Sequence, residues 1–496
     1  MNVSTKENES MPDGLLFIDG AFVPSSSGAT APTINPATGE TVCDFAQGTV
    51  DDVDRAVRAA RRAFDDGPWG VDSAPRERAT VLHRVAELIR RDREKLAELE
   101  TKDSGKLLAD SLGDIDEAAF IFDYYAGWAT KTSGSIPPVG PDAMSLVVKE
   151  PVGVAALITP WNFPFLMVAQ KVAPALAAGC TAVLKPAPQT PLTAIELARL
   201  LAEADLPSGV FNVVNGPGAE LGDALVTHPL VDKISFTGST AVGIGIQQRA
   251  APGLKRVTME LGGKSPNIVF PDADLATAFE MSAFGVFFNQ GECCTAGSRV
   301  LVERSIYDDA INAMTQAAQA VQLGDGMDPN TTMGPMISDG QRVRVEEYVE
   351  RGHSAGARLA FRGEMPSDEG LAGGYFVPPT IFADVDNEMV IAREEIFGPV
   401  MSVIPFSDEA EAVRIANDTP FGLAASVWTR DIQRALGVSR ALRAGTVWVN
   451  DSQPVPAEAP FGGFKSSGYG RELGANGIEA YLEQKHIYVN LNRSST

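Results

Sequence analysis

Apolar residues recur three and four positions apart through most of the first third of the chain, after a short extended start at residues 15–23. This spacing places apolar side chains on one face of a helix, so it predicts amphipathic helices. The predicted helices cover residues 50–64, 75–101 and 114–129. Residues 145–150 and 485–491 instead alternate apolar and polar side chains, which predicts two exposed strands.

From residue 152 onward, short apolar runs alternate with helical segments. The runs fall into two series, at 154–158, 181–184, 210–214 and 233–236, and then at 298–302, 379–382, 400–406, 424–428 and 446–450. Continuous apolar strands separated by helices are typical of a parallel sheet covered on both faces. The pattern therefore predicts an α/β fold with two such lobes.

Several turn and helix-start signals punctuate this pattern. Thr190 and Pro191 predict the cap and first residue of a helix. The glycines at 216, 218 and 222 do not have the Gly-x-Gly-x-x-Gly spacing and predict a strand-to-helix turn. Residues 236–240 are the better phosphate site, because a strand ends at a glycine and a helix then begins with hydroxyl groups.

Length and composition limit the function classes. A chain of 496 residues with 44% hydrophobic residues can fill two or three cores. Its apolar runs fall far short of the roughly 20 residues that span a bilayer, and residues 1–10 lack an apolar signal-peptide core. We expect a cytoplasmic protein. A net charge of −23 argues against nucleic acid or an anionic membrane as a partner, four cysteines do not make a disulfide framework, and we expect no metal site.

Two adjacent thiols carry the strongest chemical signal. Cys293 and Cys294 lie among small, turn-forming residues, and a thiolate is strongly nucleophilic near neutral pH. None of the four histidines forms a motif with them, so a cysteine–histidine hydrolase is a weak interpretation. Glu260, which ends a β-branched run before a glycine pair, is the natural candidate for a base.

These segments also carry a family resemblance. Glu-Leu-Gly-Gly-Lys-Ser-Pro at 260–266 and Gln-Gly-Glu-Cys-Cys-Thr-Ala-Gly-Ser-Arg at 290–299 resemble motifs of the NAD(P)-dependent aldehyde dehydrogenase superfamily. Further motifs of that family follow its order at 159–164, 184–187, 236–240, 394–399 and 460–463, and the resemblance covers residues 17–488. It implies two doubly wound Rossmann-like lobes, one binding the cofactor and one catalytic, with a small β oligomerisation region. The implied boundaries are 1–128 with 152–262, then 263–475, and 129–151 with 476–496.

The resemblance implies oxidation of an aldehyde to a carboxylic acid. Cys294 is the implied nucleophile because it stands three residues after Gly291, and Cys293 is then a wall of the pocket. The oxyanion of the thiohemiacetal would be bound by Asn162 and the backbone N–H of the cysteine. After expulsion of hydride, Glu260 would activate the water that hydrolyses the thioester.

The implied cofactor is NAD or NADP. The resemblance assigns the adenosine ribose to Lys185, the pyrophosphate to Ser239 and the nicotinamide ribose to Glu395, with Phe397 nearby. The other cofactor positions that it implies are Thr159, Pro160, Trp161, Gly238 and Leu261. At Pro188, NAD-preferring members of the family often carry a glutamate that binds the ribose 2′-hydroxyl and repels a 2′-phosphate. Proline does neither, so the resemblance does not imply a preference for NAD.

The implied substrate pocket leaves the aldehyde open. Its positions are Glu117, Phe163, Met167, Gln170, Phe288, Cys293, Thr295, Val455 and Phe461. The apolar members suit a hydrophobic aldehyde. Glu117, one turn from Asp114, would instead favour a cationic tail, although Val455 lacks the indole face that a quaternary ammonium prefers.

Two alternatives are weighed against this interpretation. CoA-acylating semialdehyde dehydrogenases typically lack the deacylating glutamate, which is present here as Glu260. A non-catalytic structural protein on the same scaffold would not be expected to retain the catalytic and cofactor residues together. The resemblance also implies a homo-oligomer, a dimer or a tetramer. The alternating tail strand is expected to pair either with another element of the chain or with another subunit.

Overall fold

The computed structural model describes residues 15–492. In chain order, the strands are β1 (Leu16–Ile18), β2 (Ala21–Val23), β3 (Thr30–Ile34), β4 (Thr41–Ala46), β5 (Ala143–Pro151), β6 (Val154–Ile158), β7 (Thr181–Lys185), β8 (Phe211–Val213), β9 (Lys233–Thr237), β10 (Arg256–Glu260), β11 (Pro266–Val269), β12 (Arg299–Glu303), β13 (Arg358–Arg362), β14 (Thr380–Ala383), β15 (Val400–Phe406), β16 (Ala424–Trp428), β17 (Thr446–Val449), β18 (Gly468–Tyr469) and β19 (Leu482–Asn490). The α-helices are α1 (Val50–Asp65), α2 (Pro75–Arg91), α3 (Arg93–Ser104), α4 (Leu108–Ala129), α5 (Pro164–Ala178), α6 (Leu192–Glu203), α7 (Gly218–Thr227), α8 (Thr240–Ala250), α9 (Leu275–Phe287), α10 (Tyr307–Gln319), α11 (Asp339–Ser354), α12 (Val390–Arg393), α13 (Glu409–Asn417), α14 (Ile432–Ala441) and α15 (Gly474–Glu479).

The first sheet has eight strands in the order β18-β10-β9-β6-β7-β8-β1-β2. Strands β10, β9, β6, β7 and β8 run parallel, and the antiparallel strands β18 and β1 lie at either side of them. Every residue of β6, β7 and β9 is buried, as expected for strands covered by helices on both faces. The extended start at 15–23 is a hairpin, because Asp19 and Gly20 both adopt positive φ and turn the chain tightly.

The second sheet has seven strands in the order β13-β14-β15-β12-β11-β16-β17, and only β13 is antiparallel to its neighbour. The predicted α/β class with two doubly wound sheets is confirmed. β18, which is a late segment of the chain, adds its two residues to the first sheet rather than the second. The domain boundaries themselves stay a prediction.

A separate two-stranded sheet joins β5 to the tail strand β19 along nine residue pairs, from Leu482 opposite Pro151 to Asn490 opposite Ala143. The two strands predicted from alternation therefore exist, and they pair with each other. β19 is largely exposed as predicted, whereas most residues of β5 are half-buried. Within residues 15–492, no helix has the length and apolar character that crossing a bilayer requires. The polar start at residues 1–10 lies outside the described residues.

Three local features of the fold were predicted wrongly or were missed. The helix predicted at 75–101 is two helices that meet at Asp92, whose carboxylate accepts hydrogen bonds from Arg91 and Arg199. The hairpin of β3 and β4 was not predicted, because its strands carry little alternation.

The third concerns the start of α6. The helix begins at Leu192, after Pro191, and Thr190 does not cap it. Its first N–H, that of Leu192, is bound at 3.1 Å by the carboxylate of Asp103, which is brought from α3. The cap thus comes from another helix, so no local sequence signal marks it.

The parallel arrangement positions the predicted site. Glu260 lies opposite Thr237, and Ile158 lies opposite both Phe236 and Lys185, so four strands end at one edge of the first sheet. The segments that follow these strands hold most of the residues expected at the cofactor site. Ligands of open α/β sheets bind at this edge, beyond the carboxyl ends of the strands.

Candidate active site

The two thiols follow a turn of unusual backbone conformation. Helix α9 ends at Phe287, and then Asn289, Gln290 and Gly291 have φ values of 47°, 55° and 73°. A left-handed residue other than glycine costs about 1–2 kcal/mol, so the surrounding contacts must hold this turn. At Gly291 itself, a Cβ atom would overlap the backbone of Gly398, so the close approach of the two loops requires glycine.

The amide of Asn289 supplies part of that support. Its Nδ2 donates to the carbonyl oxygen of Asn162 at 3.0 Å and to that of Glu292 at 3.3 Å. The side chain of Asn162 binds the same acceptor, since its Nδ2 also donates to the carbonyl oxygen of Glu292, at 2.9 Å. Asn162, between β6 and α5, is thereby fixed against the turn that leads to Cys294.

Cys294 is partly exposed and Cys293 is buried. The Cys293 thiol lies 3.2 Å from the hydroxyl of Thr295 and donates to Oε1 of Gln453 at 3.6 Å, while Thr295 also donates to Gln453. Gln453 was not predicted from the sequence, and nothing in its neighbourhood along the chain marks it. It holds both residues that flank Cys294.

The electrostatic surroundings of Cys294 favour the neutral thiol. The adjacent Cys293 thiol and burial raise the pKa of Cys294 well above the ordinary range, and the negative charges of Glu395 and Glu260 act in the same direction. If Cys294 is the nucleophile, as the resemblance implies, its thiol therefore requires activation within the assembled site.

Glu260 ends β10 and is almost fully buried. Neither of its carboxylate oxygens has a hydrogen-bond partner among the residues that the structure describes. Burial, together with the nearby charge of Glu472, raises the pKa of Glu260 well above the ordinary range. Gly462 makes room for it, since a Cβ atom there would lie 2.5 Å from Glu260 Oε1.

A buried polar cluster lies behind this carboxylate. Lys171 of α5 forms an ion pair with Glu472 and donates to the hydroxyl of Ser235 at 3.1 Å, and Ser235 donates to Glu472 at 3.0 Å. These three residues were not predicted from the sequence. The two charged members act on Glu260, because Glu472 raises its pKa and Lys171 lowers it.

A cavity of about 620 Å³ opens beside the thiol. Its lining unites ten of the residues predicted for catalysis, the cofactor or the substrate: Pro160, Trp161, Asn162, Met167, Gly238, Ser239, Leu261, Cys294, Glu395 and Phe397. Glu260, Thr159 and Lys185 lie outside this lining. Lys185 is buried, donates to the carbonyl of Pro186 at 3.0 Å and has its pKa lowered to about 8 by burial.

The polar groups of this cavity fit a dinucleotide. Ser239 caps α8, accepting from the N–H of Val242 at 3.4 Å, so the positive end of the helix faces the cavity. The hydroxyl of Thr237 is buried there without a partner in residues 15–492, as is that of Thr159 nearby. These groups suit the phosphate and sugar oxygens of such a ligand.

At the opposite end, burial raises the pKa of Glu395 to about 7, and its Oε1 accepts from the N–H of Gly263 at 2.8 Å. Phe397 has a φ of 63°, and its carbonyl accepts from Gln341 at 2.7 Å. The ring of Phe397 meets that of Trp161 edge to face at 5.3 Å between centroids. The loop that carries Glu395 is thereby fixed beside the thiol turn.

Three of the apolar positions predicted for the substrate pack together beside Cys293. Phe163 and Phe288 stack with ring centroids 6.1 Å apart, and Phe163 and Met167 pack in one buried cluster with Cys293. Gln170 and Phe461 are buried, and Val455 packs against the main core together with Cys294.

Glu117 is half-buried on α4. Burial and the neighbouring charge of Glu458 raise its pKa. Glu458 was not among the predicted pocket residues, although it follows Val455 closely in the sequence. The structure therefore places a second carboxylate beside the one that was expected.

Comparison with known proteins agrees with this geometry. The sequence model of the aldehyde dehydrogenase family matches residues 22–487. A betaine aldehyde dehydrogenase of Bacillus subtilis is 47% identical over 477 residues, covering 96% of this chain and 97% of that protein. A mitochondrial aldehyde dehydrogenase of Homo sapiens is 47% identical over 485 residues, covering 97% of this chain and 93% of the relative.

A solved structure is similarly close. The crystal structure of betaine aldehyde dehydrogenase from Staphylococcus aureus in complex with NAD+ superposes with a TM-score of 0.95 at 43% identity, covering 97% of this chain and 96% of that one. The predicted family, the fold class and the oxidation of aldehydes are thus confirmed. The chain belongs to the aldehyde dehydrogenase family.

Proposed function

We propose that this enzyme oxidises an aldehyde to the carboxylic acid with Cys294 as its nucleophile. The observation that carries the proposal is the convergence of Cys294, Asn162 and Glu395 on one cavity. In the first step the Cys294 thiol loses its proton to solvent, its sulfur forms a bond to the carbonyl carbon, and the π electrons of the carbonyl move to the oxygen, which becomes an oxyanion. When the oxyanion collapses, the C–H bond of that carbon breaks, the hydrogen leaves as hydride, and a thioester remains on Cys294. When bound, the oxidised nicotinamide serves as the electron acceptor of the reaction.

Asn162 is the proposed donor to that oxyanion. An asparagine amide carries two N–H groups, and the hydrogen bond to the carbonyl of Glu292 occupies only one. The bond also fixes which way the amide faces, so the second N–H is preorganised. Preorganised donors of this kind contribute roughly 3–4 kcal/mol to transition-state stabilisation.

Glu260 is the proposed base for hydrolysis of the thioester. Burial raises the pKa of Glu260, which makes its carboxylate a stronger base toward a proton of water. The hydroxide equivalent attacks the thioester carbon, the carbon–sulfur bond breaks, and the acid leaves while Cys294 is restored. The free oxygens of Glu260 leave acceptor positions for that water.

NAD or NADP would be held by Ser239 and Thr237 at one end of the cavity and by Glu395 at the other, with Trp161 and Phe397 packing beside them. The S. aureus relative with NAD+ supports this assignment. Thr159, Pro160, Lys185, Gly238 and Leu261 are proposed to complete the site, at the strand ends that surround it.

For the substrate we keep two chemical classes. The stacked rings of Phe163 and Phe288, with Met167, favour an apolar aldehyde. The proximity of Glu117 and Glu458 favours an aldehyde with a cationic tail, and two of the relatives are named for betaine aldehyde. Reduction of NAD and NADP with a panel of apolar and cationic aldehydes separates these classes.

The same assay tests the reaction itself. We expect cofactor reduction without added coenzyme A, and none with Cys294→Ala. A requirement for coenzyme A, with an acyl-CoA as the product, would identify the acylating type instead.

We also propose that the protein is a cytoplasmic homo-oligomer, a dimer or a tetramer. Apart from a bridge between Ser135 and Val147, the outer edges of the β5–β19 sheet have no strand partner in the described part of the chain. Ile487 and Tyr488 are exposed on it, and such edges favour pairing with another chain. All four cysteines are free, which suits a reducing compartment. Light scattering after size-exclusion chromatography measures the assembly.

A further inference from the structure

The helix that follows Asn162 begins without a capping side chain of its own. Phe163 makes no capping hydrogen bond, and Pro164 has no N–H. The N–H of Phe165 is instead bound by Glu100 of α3, through Oε2 at 3.1 Å and Oε1 at 3.3 Å. Glu100 also accepts from the hydroxyl of Thr193 at 2.9 Å, so its carboxylate is fixed between α5 and α6.

Lys106, just after α3, completes this arrangement. It is fully buried, forms an ion pair with Asp114, and its Nζ lies 4.0 Å from Oε1 of Glu100. The same Nζ is 4.3 Å from the centroid of the Phe163 ring, within the range of a cation–π contact. Burial opposes the charge of Lys106, but Asp114 and Glu100 outweigh it and raise its pKa, so the side chain stays charged.

We propose that Glu100 and Lys106 are positioning residues, which hold Phe165 and Phe163 and thereby set where the amide of Asn162 lies relative to Cys294. The inference rests on the proposed role of Asn162 in binding the oxyanion. Neither residue lines the cavity that holds Cys294, so neither is expected to touch the reacting atoms. They act through Phe163 and Phe165, the first and third residues after Asn162, and through the first turn of α5.

Asn162 is then held from both sides. The thiol turn fixes it through Asn289 and the carbonyl of Glu292, and the Glu100–Lys106 pair fixes the chain just beyond it. A distant mutation that misplaces a catalytic group by about 1 Å can lower the rate about 100-fold, so loss of either support is expected to slow turnover.

The energetics of burial point the same way. Replacing a buried ion pair with apolar residues of similar volume is often neutral or stabilising, because desolvation offsets the attraction. A fully buried lysine with two carboxylates is therefore a poor means of stabilising a core. It is well suited to fixing one geometry of the chain, which is what the oxyanion site needs.

A double-mutant cycle tests the proposal. The four enzymes are the parent, Glu100→Leu, Asn162→Ala and the double variant. We expect Glu100→Leu to lower kcat about tenfold or more in the parent, and by less than about twofold once Asn162 is already alanine, because residues that act through one another are not additive. Cofactor affinity is expected to stay within about twofold of the parent, since Glu100 does not line the cavity.

Further variants make the result decisive. Glu100→Gln retains an acceptor for the N–H of Phe165 and is expected to recover most of the activity, and Lys106→Met is run through the same cycle if Glu100→Leu does not fold. Lys102→Met, on the exposed side of α3, is the matched control and should behave like the parent. The positioning role would be overturned if Glu100→Leu lowered kcat by the same factor in the parent and in the Asn162→Ala enzyme. The same criterion applies to Lys106→Met if that variant is used instead. If Asn162→Ala alone leaves kcat unchanged, the oxyanion assignment fails first and this inference fails with it.

Discussion

The side-chain amide of Asn162 donates a 2.9 Å hydrogen bond to the carbonyl oxygen of Glu292, two residues before Cys294. The proposed oxyanion donor, Asn162, and the proposed nucleophile, Cys294, are therefore tied to the same short turn, although they are far apart in the sequence. A shift of the turn would move both groups together, which keeps their separation constant.

Asn162→Ala is expected to lower kcat by about 10²–10³-fold, the usual cost of removing one oxyanion donor. Binding of the cofactor should change little, because the remaining lining of the cavity is intact. Steady-state kinetics and a cofactor titration measure the two effects. An Asn162→Ala enzyme with parental kcat would show that the oxyanion is bound elsewhere.

The two thiols are expected to differ sharply. Cys294→Ala should abolish dehydrogenation and keep cofactor binding, whereas Cys293→Ala should keep substantial activity, because Cys293 is buried against Thr295 and Gln453. The measurement is cofactor reduction by each variant, with circular dichroism to confirm folding. The opposite ranking would mean that Cys293 is the nucleophile.

Glu260→Gln is expected to slow steady-state turnover far more than the first-turnover burst of reduced cofactor. The amide cannot accept the proton of the hydrolytic water, so the thioester accumulates. Stopped-flow absorbance resolves the two phases. A parallel loss of burst and steady state would place the role of Glu260 before the thioester forms.

Asp103→Asn is expected to change how stability depends on pH. Burial raises the pKa of Asp103 to about 7, so between its ordinary value and about 7 the folded state holds a proton that the unfolded state has lost. The contribution of Asp103 to stability is then present at low pH and is lost as the pH rises.

The asparagine variant cannot titrate, and it retains an acceptor for the N–H of Leu192. Its stability relative to the parent should therefore improve between about pH 5 and about pH 8, by at most roughly 3 kcal/mol. Denaturant unfolding at both pH values measures the difference. A relative stability that is independent of pH would contradict the raised pKa.

Pro188→Glu is expected to shift the ratio of kcat/KM toward NAD by at least about tenfold, or about 1.4 kcal/mol. Pro188 follows β7 and is half-buried, so a carboxylate there would repel a 2′-phosphate in a partly desolvated position. Kinetics with both cofactors measure the ratio, and thermal unfolding controls for the loss of proline. A parent enzyme with no turnover on saturating NADP would show that another residue discriminates.

Much of the fold could be predicted because its strands are short, apolar and separated by helices. The periodicity of apolar residues continues through Asp92, however, so the break between α2 and α3 was missed. Ion pairs of Asp92 with Arg91 and Arg199 stabilise that break. Because Arg199 belongs to α6, its contact with Asp92 leaves no pattern in the sequence around Asp92. The cap of α6 by Asp103 was missed for the same reason.

At the site, motif resemblance identified Cys294, Asn162 and Glu395, which line one cavity. It did not identify Gln453 or Glu100, whose roles depend on contacts across the fold. Gln453 has a φ of 79°, a left-handed conformation that glutamine rarely adopts and that the sequence does not indicate. Its side chain contacts Thr295 from a loop that is distant in the sequence. Contacts of this kind depend on three-dimensional placement rather than on any local pattern.

The pairing of β18 with β10 has a consequence for biosynthesis. Glu260 lies opposite Gly468, and the N–H of Leu261 donates to the carbonyl of Ser467 at 3.0 Å. Part of the surroundings of the proposed base therefore comes from a segment made more than two hundred residues later. Contacts of such long range form late, because the chain between them must first be closed. A nascent chain in which Cys294 has already been made therefore still lacks the strand that pairs beside Glu260, the proposed base. We expect catalytic activity to appear only after β18 has joined the first sheet.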